Sequence, residues 1–368
     1  MPSISHSRAD SYLLCRRKDY YGYTLSLRPV SESQGTSLGG AFHQCLQVFY
    51  DFIKAAGGTR RKQKAAFKDA VKAMHKKYLE LVKAGFESPD NRVDLKELLR
   101  RFVNLEPFVK EGWLIKEVEK EFLLEYDPET ESRFRFVIDL IAEDPKGEIV
   151  IIDHKTAYDF FDVEMAGLQG QVPKYIGAMR GLGYKVHYGL YNQFRTRPIR
   201  GEKMNKGQMV DALTKVGYVH YETQLVAPIP EEDPHEEIVE IPLSKLLVKD
   251  LEVLCKEQDI DLYLGPTEDQ MSYQLPIRAT AARVIRTFEE QVAVAEELAA
   301  RDLLPVEEVE RTAYRTANKM VCKTCDFREL CEAQLAGRPT KLMLQTQFEK
   351  RERRPEIEVS EEVSDEYS

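Results

Sequence analysis

The sequence lacks several features that would place it in familiar classes. No apolar stretch is long enough to form a membrane-spanning helix. The opening, Met1-Pro2-Ser3-Ile4-Ser5-His6, has none of the features of a secretory signal. The cytoplasm is therefore the expected compartment. No Gly-x4-Gly-Lys-Ser/Thr phosphate loop is present, which argues against an intrinsic ATPase. No internal repeat is visible. There is no surplus of positive charge either. The net charge is -9, opposite in sign to that of a typical nucleic-acid binder. The acids are unevenly spread, however. Residues 356–368 are acidic and hold no Lys or Arg, and they are expected to be disordered.

What remains is a chain of 368 residues, 43% hydrophobic and 31% charged, long enough for one large soluble domain or two small ones. Asp153-His154-Lys155 is its most informative feature. It ends the apolar run Ile149-Val150-Ile151-Ile152, and Asp139 ends another, Phe136-Val137-Ile138. Between them Glu143-Asp144-Pro145-Lys146-Gly147 is a turn signal. The segment reads strand, tight turn, strand, with residue 139 roughly opposite 152. Strands lie about 4.8 Å apart, so two acids held this way need a cation between them. Lys155 shares a strand face with Asp153. Two acids and a lysine on one sheet rim suit metal-assisted hydrolysis of a phosphodiester.

Six cysteines are present, and Cys322, Cys325 and Cys331 read Cys-x2-Cys-x5-Cys. Three thiolates in a short loop suit a metal or a cluster, and Cys15 is the best fourth ligand. Spacing alone does not choose between zinc and an iron–sulfur cluster. Cys45 and Cys255 lie on apolar-periodic stretches and read as core.

The spacing predicts an aromatic-rich helix over 8–24, a flexible loop over Gly35–Gly40, and a helix opening at Ala41-Phe42-His43. Gly57-Gly58 ends that helix, and two amphipathic helices follow, about 61–84 and 94–109. Strands from Val118 to Glu125, through Asp139 and through Asp153 make a meander, with Asp127-Pro128 as its first turn. A helix over about 163–181 then crosses to a strand over Val186–Asn192. Segment 198–248 reads poorly, with Pro228, Pro230 and Pro234 marking a loop and Ile238–Ile241 an edge strand. A long helix covers about 277–302, and a short one precedes the cysteines. Arg60, Arg61, Lys62, Lys64, Lys68, Lys72, Lys76 and Lys77 read as a solvated helix face. Arg195, Arg197, Arg200, Lys203 and Lys206 follow the presumed active-site sheet and suit phosphate contact.

Taken together, these residues resemble the RecB-like branch of the PD-(D/E)xK nuclease superfamily. The nearest likeness is to stand-alone iron–sulfur exonucleases of CRISPR adaptation and bacteriophages. The likeness covers roughly residues 1–200 and 270–335. Cys15 matches the family's early cysteine, and Gly39 to His43 its Gly-x3-His element. Glu119 before Phe122 matches its upstream glutamate, and Asp139, Asp153 and Lys155 its core. Gln171 and Tyr175 match its Gln-x3-Tyr helix, and Cys322, Cys325 and Cys331 its terminal cysteines. Phe136 stands where the family often has glycine, and Glu332 where it has proline. Neither change removes a ligand.

The resemblance implies an α/β fold with a restriction-endonuclease-like core. A mixed central sheet would be flanked by helices, with the N- and C-terminal helical segments joined by a metal cluster. A single nuclease domain would cover 1–335: a core over about 35–200, an insertion over 198–270, and C-terminal helices with the cysteines over 271–335. An acidic tail would occupy 336–368. The implied activity is a metal-dependent DNA exonuclease acting on single-stranded or duplex ends, in recombination, replication or CRISPR-adaptation-type processing. If phage-encoded, it would work in the host cytoplasm. Asp139, Asp153 and the His154 carbonyl would hold Mg²⁺ or Mn²⁺, with His43 as an added nitrogen ligand. Glu119 would orient water or a second cation, and Lys155 would stabilise developing charge. Gln171, Tyr175, Arg195 and Arg197 would contact DNA. Cys15, Cys322, Cys325 and Cys331 would bind a [4Fe–4S] cluster, with structural Zn²⁺ as the alternative. Two other readings are a non-catalytic DNA-end-binding subunit of a recombination or adaptation complex and a redox-responsive regulator. The intact Asp/Asp/Lys set opposes the first, and the lack of a visible effector domain opposes the second.

Overall fold

Alternating apolar runs pair into a sheet, and helices on both sides bury its two faces. The computed structural model describes residues 4–30, 34–127, 132–161, 170–198, 203–226, 235–263 and 267–351. The chain opens with β1 (Ile4–Ser5), α1 (His6–Leu14), α2 (Arg16–Asp19) and β2 (Leu27–Pro29). Helices α3 (Gln34–Ala55), α4 (Arg60–Lys83), α5 (Leu95–Leu105) and α6 (Phe108–Glu111) follow. The meander is β3 (Leu114–Asp127), β4 (Ser132–Glu143) and β5 (Ile149–Ala157), and α7 (Gln171–Gly181) leads to β6 (Val186–Arg195). Next come α8 (Lys206–Lys215), β7 (Tyr221–Val226), β8 (His235–Glu240), α9 (Val248–Glu257) and α10 (Glu268–Met271). Strand β9 (Ser272–Ile277) precedes α11 (Ala281–Asp302), α12 (Val306–Thr312), α13 (Lys319–Lys323), α14 (Arg328–Leu335), α15 (Lys341–Thr346) and β10 (Phe348–Lys350).

The main sheet runs β1-β4-β5-β6-β9, with β3 on the far edge of β4. It is mixed, because β5 and β6 are parallel whereas β3, β5 and β9 each join a neighbour antiparallel. The β4–β5 turn closes as the sequence predicts. Asp144 Oδ1 accepts from Lys146 N at 2.8 Å and from Glu148 N at 2.9 Å, and Gly147 takes φ +86°. The register differs by one residue from the expected one. Leu140, not Asp139, pairs with Ile152, and there the ladder stops. Farther along the same edge of β4, β1 pairs with Phe134 and Arg135. Asp139 therefore lies at the mouth of a fork, facing Asp153 where the two strands part.

Helices α3 to α6 pack on one face, where Phe42, Phe49, Phe102 and Phe108 meet Leu140, Ile152, Leu190 and Phe194. On the other face Val172, Ile176 and Met179 of α7 and Val284 of α11 meet Ile141, Ile151 and Tyr191. Each such side chain contributes about 1.5–3 kcal/mol by leaving water. Close approach of α7 requires Gly189, since a Cβ there would lie 2.2 Å from Val172 Cγ1.

Several expectations need correction. Gly35–Gly40 is helical, because α3 begins at Gln34. Gly39 lets the helix approach β5, where its Cβ would meet Thr156 Oγ1 at 3.0 Å. The helix expected over 8–24 breaks at Cys15, whose backbone is extended at φ -165°, ψ 112°. The helix expected over 94–109 divides around Pro107 into α5 and α6. Strand β9 was not anticipated. Pro128, the prolines at 228, 230 and 234, and residues 163–169 of the expected crossover helix lie outside the described residues.

The N-terminal and C-terminal segments share a core of Tyr20, Tyr21, Val309, Phe327, Leu330 and Phe348, with Cys325 and Cys331 against it. Asp19 is fully buried and takes Arg8 Nε at 3.3 Å and an Arg301 amine at 2.5 Å. Arg8 also grips Asp302 with two hydrogen bonds, at 2.6 and 2.5 Å. Order extends past the expected tail boundary at 336, because β10 pairs antiparallel with β2 and buries Phe348. Residues 352–368 lie outside the described set. Pro198–Met271 forms a compact unit of its own around Met209, Leu213, Leu251, Leu254 and Cys255. Its β7–β8 hairpin is a separate sheet, so the expected strand over 238–241 is β8. No helix among the described residues is long and apolar enough to cross a membrane.

Candidate functional site

The fork between β4 and β5 gathers the acids. Where the ladder ends, His154 N donates to Asp139 Oδ2 at 2.8 Å in place of a strand carbonyl. His43 reaches in from α3, its Nδ1 3.5 Å from Asp139 Oδ2 and 3.9 Å from Glu119 Oε1. Ligand atoms of His43, Glu119 and Asp139 all lie within 4.8 Å of one another. Glu119 arrives there because β3 is kinked, with φ +44° at that residue. Glu121, two residues on along β3, is instead paired with Arg135. Burial, with repulsion from Asp153, pushes the Asp139 carboxyl well above the usual carboxylate range, against the pull of His43 and Lys155. Burial disfavours a charged His43, but the neighbouring Glu119, Asp139 and Asp153 carboxylates raise its pKa overall.

Asp153 and Lys155 face α7. Lys155 Nζ lies 2.8 Å from Asp153 Oδ2, 3.0 Å from Asp153 Oδ1 and 3.1 Å from Gln171 Oε1. Gln171 Nε2 donates to Tyr175 OH at 3.3 Å, so the helical pair expected from their four-residue spacing forms a relay to the lysine. Burial works against the Lys155 ammonium, but Asp153 and Asp139 outweigh it and raise its pKa. The lysine stays charged. Asp153 Oδ2 is buried and accepts no well-aligned hydrogen bond.

His154 points to the opposite face. Its ring stacks on Tyr50 at 5.5 Å and 12°, and Nδ1 lies 3.1 Å from Asn192 Nδ2. Burial pushes its pKa well below the usual value, so the ring is neutral. Sequence reasoning missed the polar support around the site. Asn192 lies level with His154 on β6, Glu106 accepts from Tyr50 OH at 3.2 Å, and His6 and Asp10 of α1 pair at 3.1 Å near Lys155. None carries a spacing signal. Each reaches the site only through tertiary packing.

Cys15 is brought to the C-terminal segment by Thr316 Oγ1 donating to Leu14 O at 2.7 Å and Arg17 N donating to Tyr314 O at 3.2 Å. Burial would raise its thiol pKa, but N–H groups of Thr316, Lys18 and Arg17 lower it and favour the thiolate. Burial raises the Cys325 thiol, and the Cys15 sulfur adds to that. Cys331 Sγ takes Arg315 Nε at 2.8 Å. Cys322 is a free thiol in α13. Among the described residues the cysteines do not form a group with all sulfurs within 4.8 Å. Arg195 and Arg197 lie outside the acid cluster, around the ends of β5 and β6. In α4, Arg60 pairs with Glu143 at 2.7 Å, in keeping with a structural role for that helix.

The geometry can be set beside known proteins. The family model described as the PD-(D/E)XK nuclease superfamily matches residues 3–332. No curated protein matches the chain.

Proposed function

The chain belongs to the PD-(D/E)XK nuclease superfamily, and on that premise we propose that it is a metal-dependent DNA exonuclease carrying a structural [4Fe–4S] cluster. The fork that sets His43, Glu119 and Asp139 together beside the Asp153–Lys155 pair carries this reading. The Glu119 and Asp139 carboxylates and the His43 imidazole, with the Asp153 carboxylate beside them, fit a hard divalent cation. His43, Asp139, Asp153 and the His154 carbonyl would hold Mg²⁺ or Mn²⁺, with Glu119 joining them or orienting the attacking water. A bound cation would polarise the phosphate and make water nucleophilic near neutral pH. Lys155, kept protonated by Asp153 and aimed by Gln171, acts as a charge stabiliser rather than a base. Tyr175 fixes Gln171, and the pair lines the DNA path.

The stabilised Cys15 thiolate beside Cys325, joined by Cys322 and Cys331, suits soft-metal ligation. Cys15, Cys322, Cys325 and Cys331 would hold the cluster, which would tie the N-terminal helices to the C-terminal segment. A structural Zn²⁺ on the same four is the alternative. The resemblance to exonucleases of recombination, replication or CRISPR adaptation supplies DNA ends as the substrate.

Digestion of end-labelled single- and double-stranded DNA tests the activity. Cleavage should require Mg²⁺ or Mn²⁺ and vanish in EDTA. Lys155→Ala should lose cleavage by orders of magnitude while remaining folded and bound to DNA. Undiminished cleavage in EDTA, or wild-type turnover by Lys155→Ala, would overturn the assignment.

A further inference from the structure

Just past Lys155 the sheet rim changes character. Strand β5 ends at Ala157, and the chain continues through Tyr158, Asp159 and Phe160. Thr196 N and Oγ1 donate to Ala157 O at 2.8 and 3.2 Å, tying the ends of β5 and β6 together. Val93 N donates to Thr196 O at 2.7 Å and an Arg92 amine donates to Thr196 Oγ1 at 2.6 Å, which brings in the segment before α5. Three arginines and three aromatic rings meet there. Arg92 and Arg197 lie 5.1 and 6.0 Å from the Tyr158 ring, and Arg195 lies 4.1 Å from that of Phe160. Phe160 in turn neighbours Tyr273 of β9 at 5.9 Å and 35°.

Two observations separate this cluster from ordinary rim packing. Tyr158 and Tyr273 are 45% and 37% exposed, so they are not buried as packing would require. The charge is also unbalanced. Asp159 pairs with Arg197 at 3.1 Å, but among the described residues neither Arg92 nor Arg195 has a carboxylate within ion-pair distance. Arg195 Nε is buried without a hydrogen-bond partner. We propose that this rim is a stacking platform for unpaired nucleobases, its arginines holding the phosphates between them. Aromatic rings and guanidinium planes accept any base face, whereas a duplex hides those faces in its own stack. Tyr158 is three residues past Lys155, roughly 10 Å along an extended strand. The platform would thus seat bases adjoining the scissile phosphate and select single-stranded over duplex ends. This inference rests on the nuclease reading for its substrate class.

Binding of fluorescein-labelled oligo(dT) to the full chain, without divalent cation, tests it. An abasic deoxyribose–phosphate oligomer of equal length and a blunt duplex serve as comparisons. The wild type should bind oligo(dT) roughly tenfold or more tighter than the abasic strand. Tyr158→Ala with Tyr273→Ala should remove that preference and keep the salt dependence, and Tyr158→Trp should retain the preference. Arg195→Gln should instead reduce the salt slope by about one. Equal wild-type affinity for the two strands, no binding to either, or a preference surviving in the double variant would overturn the platform. Metal-supported cleavage without base preference would leave the nuclease reading standing. Base preference without any cleavage would do the reverse.

Discussion

Glu119 holds φ at +44° in the middle of β3, a conformation that costs a residue with a side chain about 1–3 kcal/mol. The return is positional, because the kink turns its carboxylate toward His43 and Asp139. A second isolated acid lies behind the site. Glu106 is fully buried and accepts from Phe108 N, Val109 N, Lys110 N and Tyr50 OH. Burial, outweighing those hydrogen bonds, raises its pKa to about 7. The folded chain thus keeps a proton that the unfolded chain releases near 4.5. The resulting stability is complete below about pH 4.5 and is lost as pH rises through about 7, on the order of 3 kcal/mol. Glu106→Gln has no proton to lose. Its stability, measured by urea unfolding at pH 5 and pH 8, should therefore decline less than that of the wild type. Parallel declines would mean that Glu106 titrates normally.

At the scale of elements, the contact between α7 and β6 sets where Gln171 meets Lys155. Gly189→Ala should push α7 outward and cost about 1–3 kcal/mol, since its Cβ would also lie 3.3 Å from Ile151 Cγ1. Cleavage should fall with it, and Val172→Ala in the same chain should restore both. Activity surviving in the single variant at full stability would show that the fit of α7 is not what positions the lysine. The strands and helices themselves were largely legible. Asp139, Asp153 and Lys155 stand at the ends of apolar runs, and α4 carries a regular stripe. Three things were not. Gly35–Gly40 read as loop because intrinsic propensity speaks against glycine in a helix, yet the approach of Gly39 to Thr156 selects it. Strand β9 is six residues long and includes Pro276, so it resembles a loop until β6 supplies its partner. The one-residue register difference followed from centring the turn near Pro145, whereas Asp144 and Gly147 close it. Local pattern names the residues at a site, but long-range packing decides which rotamer and neighbour each receives.

Across the whole molecule, residues far apart in sequence are joined twice, by the Arg8–Asp19–Arg301–Asp302 network and by the aromatic core beneath the cysteines. The cysteines would add a third link. Anaerobically purified protein should be brown and yield iron and sulfide. Cys15→Ala should lose both and unfold at lower denaturant, because the site would be incomplete and its long loop open. Cys45→Ala, a core truncation, should keep the iron and cost on the order of 1 kcal/mol. Stoichiometric zinc without iron would replace the cluster with the alternative ion. No metal, with Cys15→Ala as stable as wild type, would remove both. The unit over Pro198–Met271 carries a different consequence. Its chain leaves after β6 and re-enters at β9, where Phe194 pairs with Ser272 on adjacent strands. In topological terms it is the tip of a hairpin swollen into a folded body. The entropy of closing a loop grows only as the logarithm of its length, so lengthening such a connection from a few residues to several dozen costs roughly 2–3 kcal/mol. A body with its own core offsets that easily. The β6–β9 connection is therefore a place where added length is cheap: the pairing of Phe194 with Ser272 fixes its two ends and not the number of residues between them.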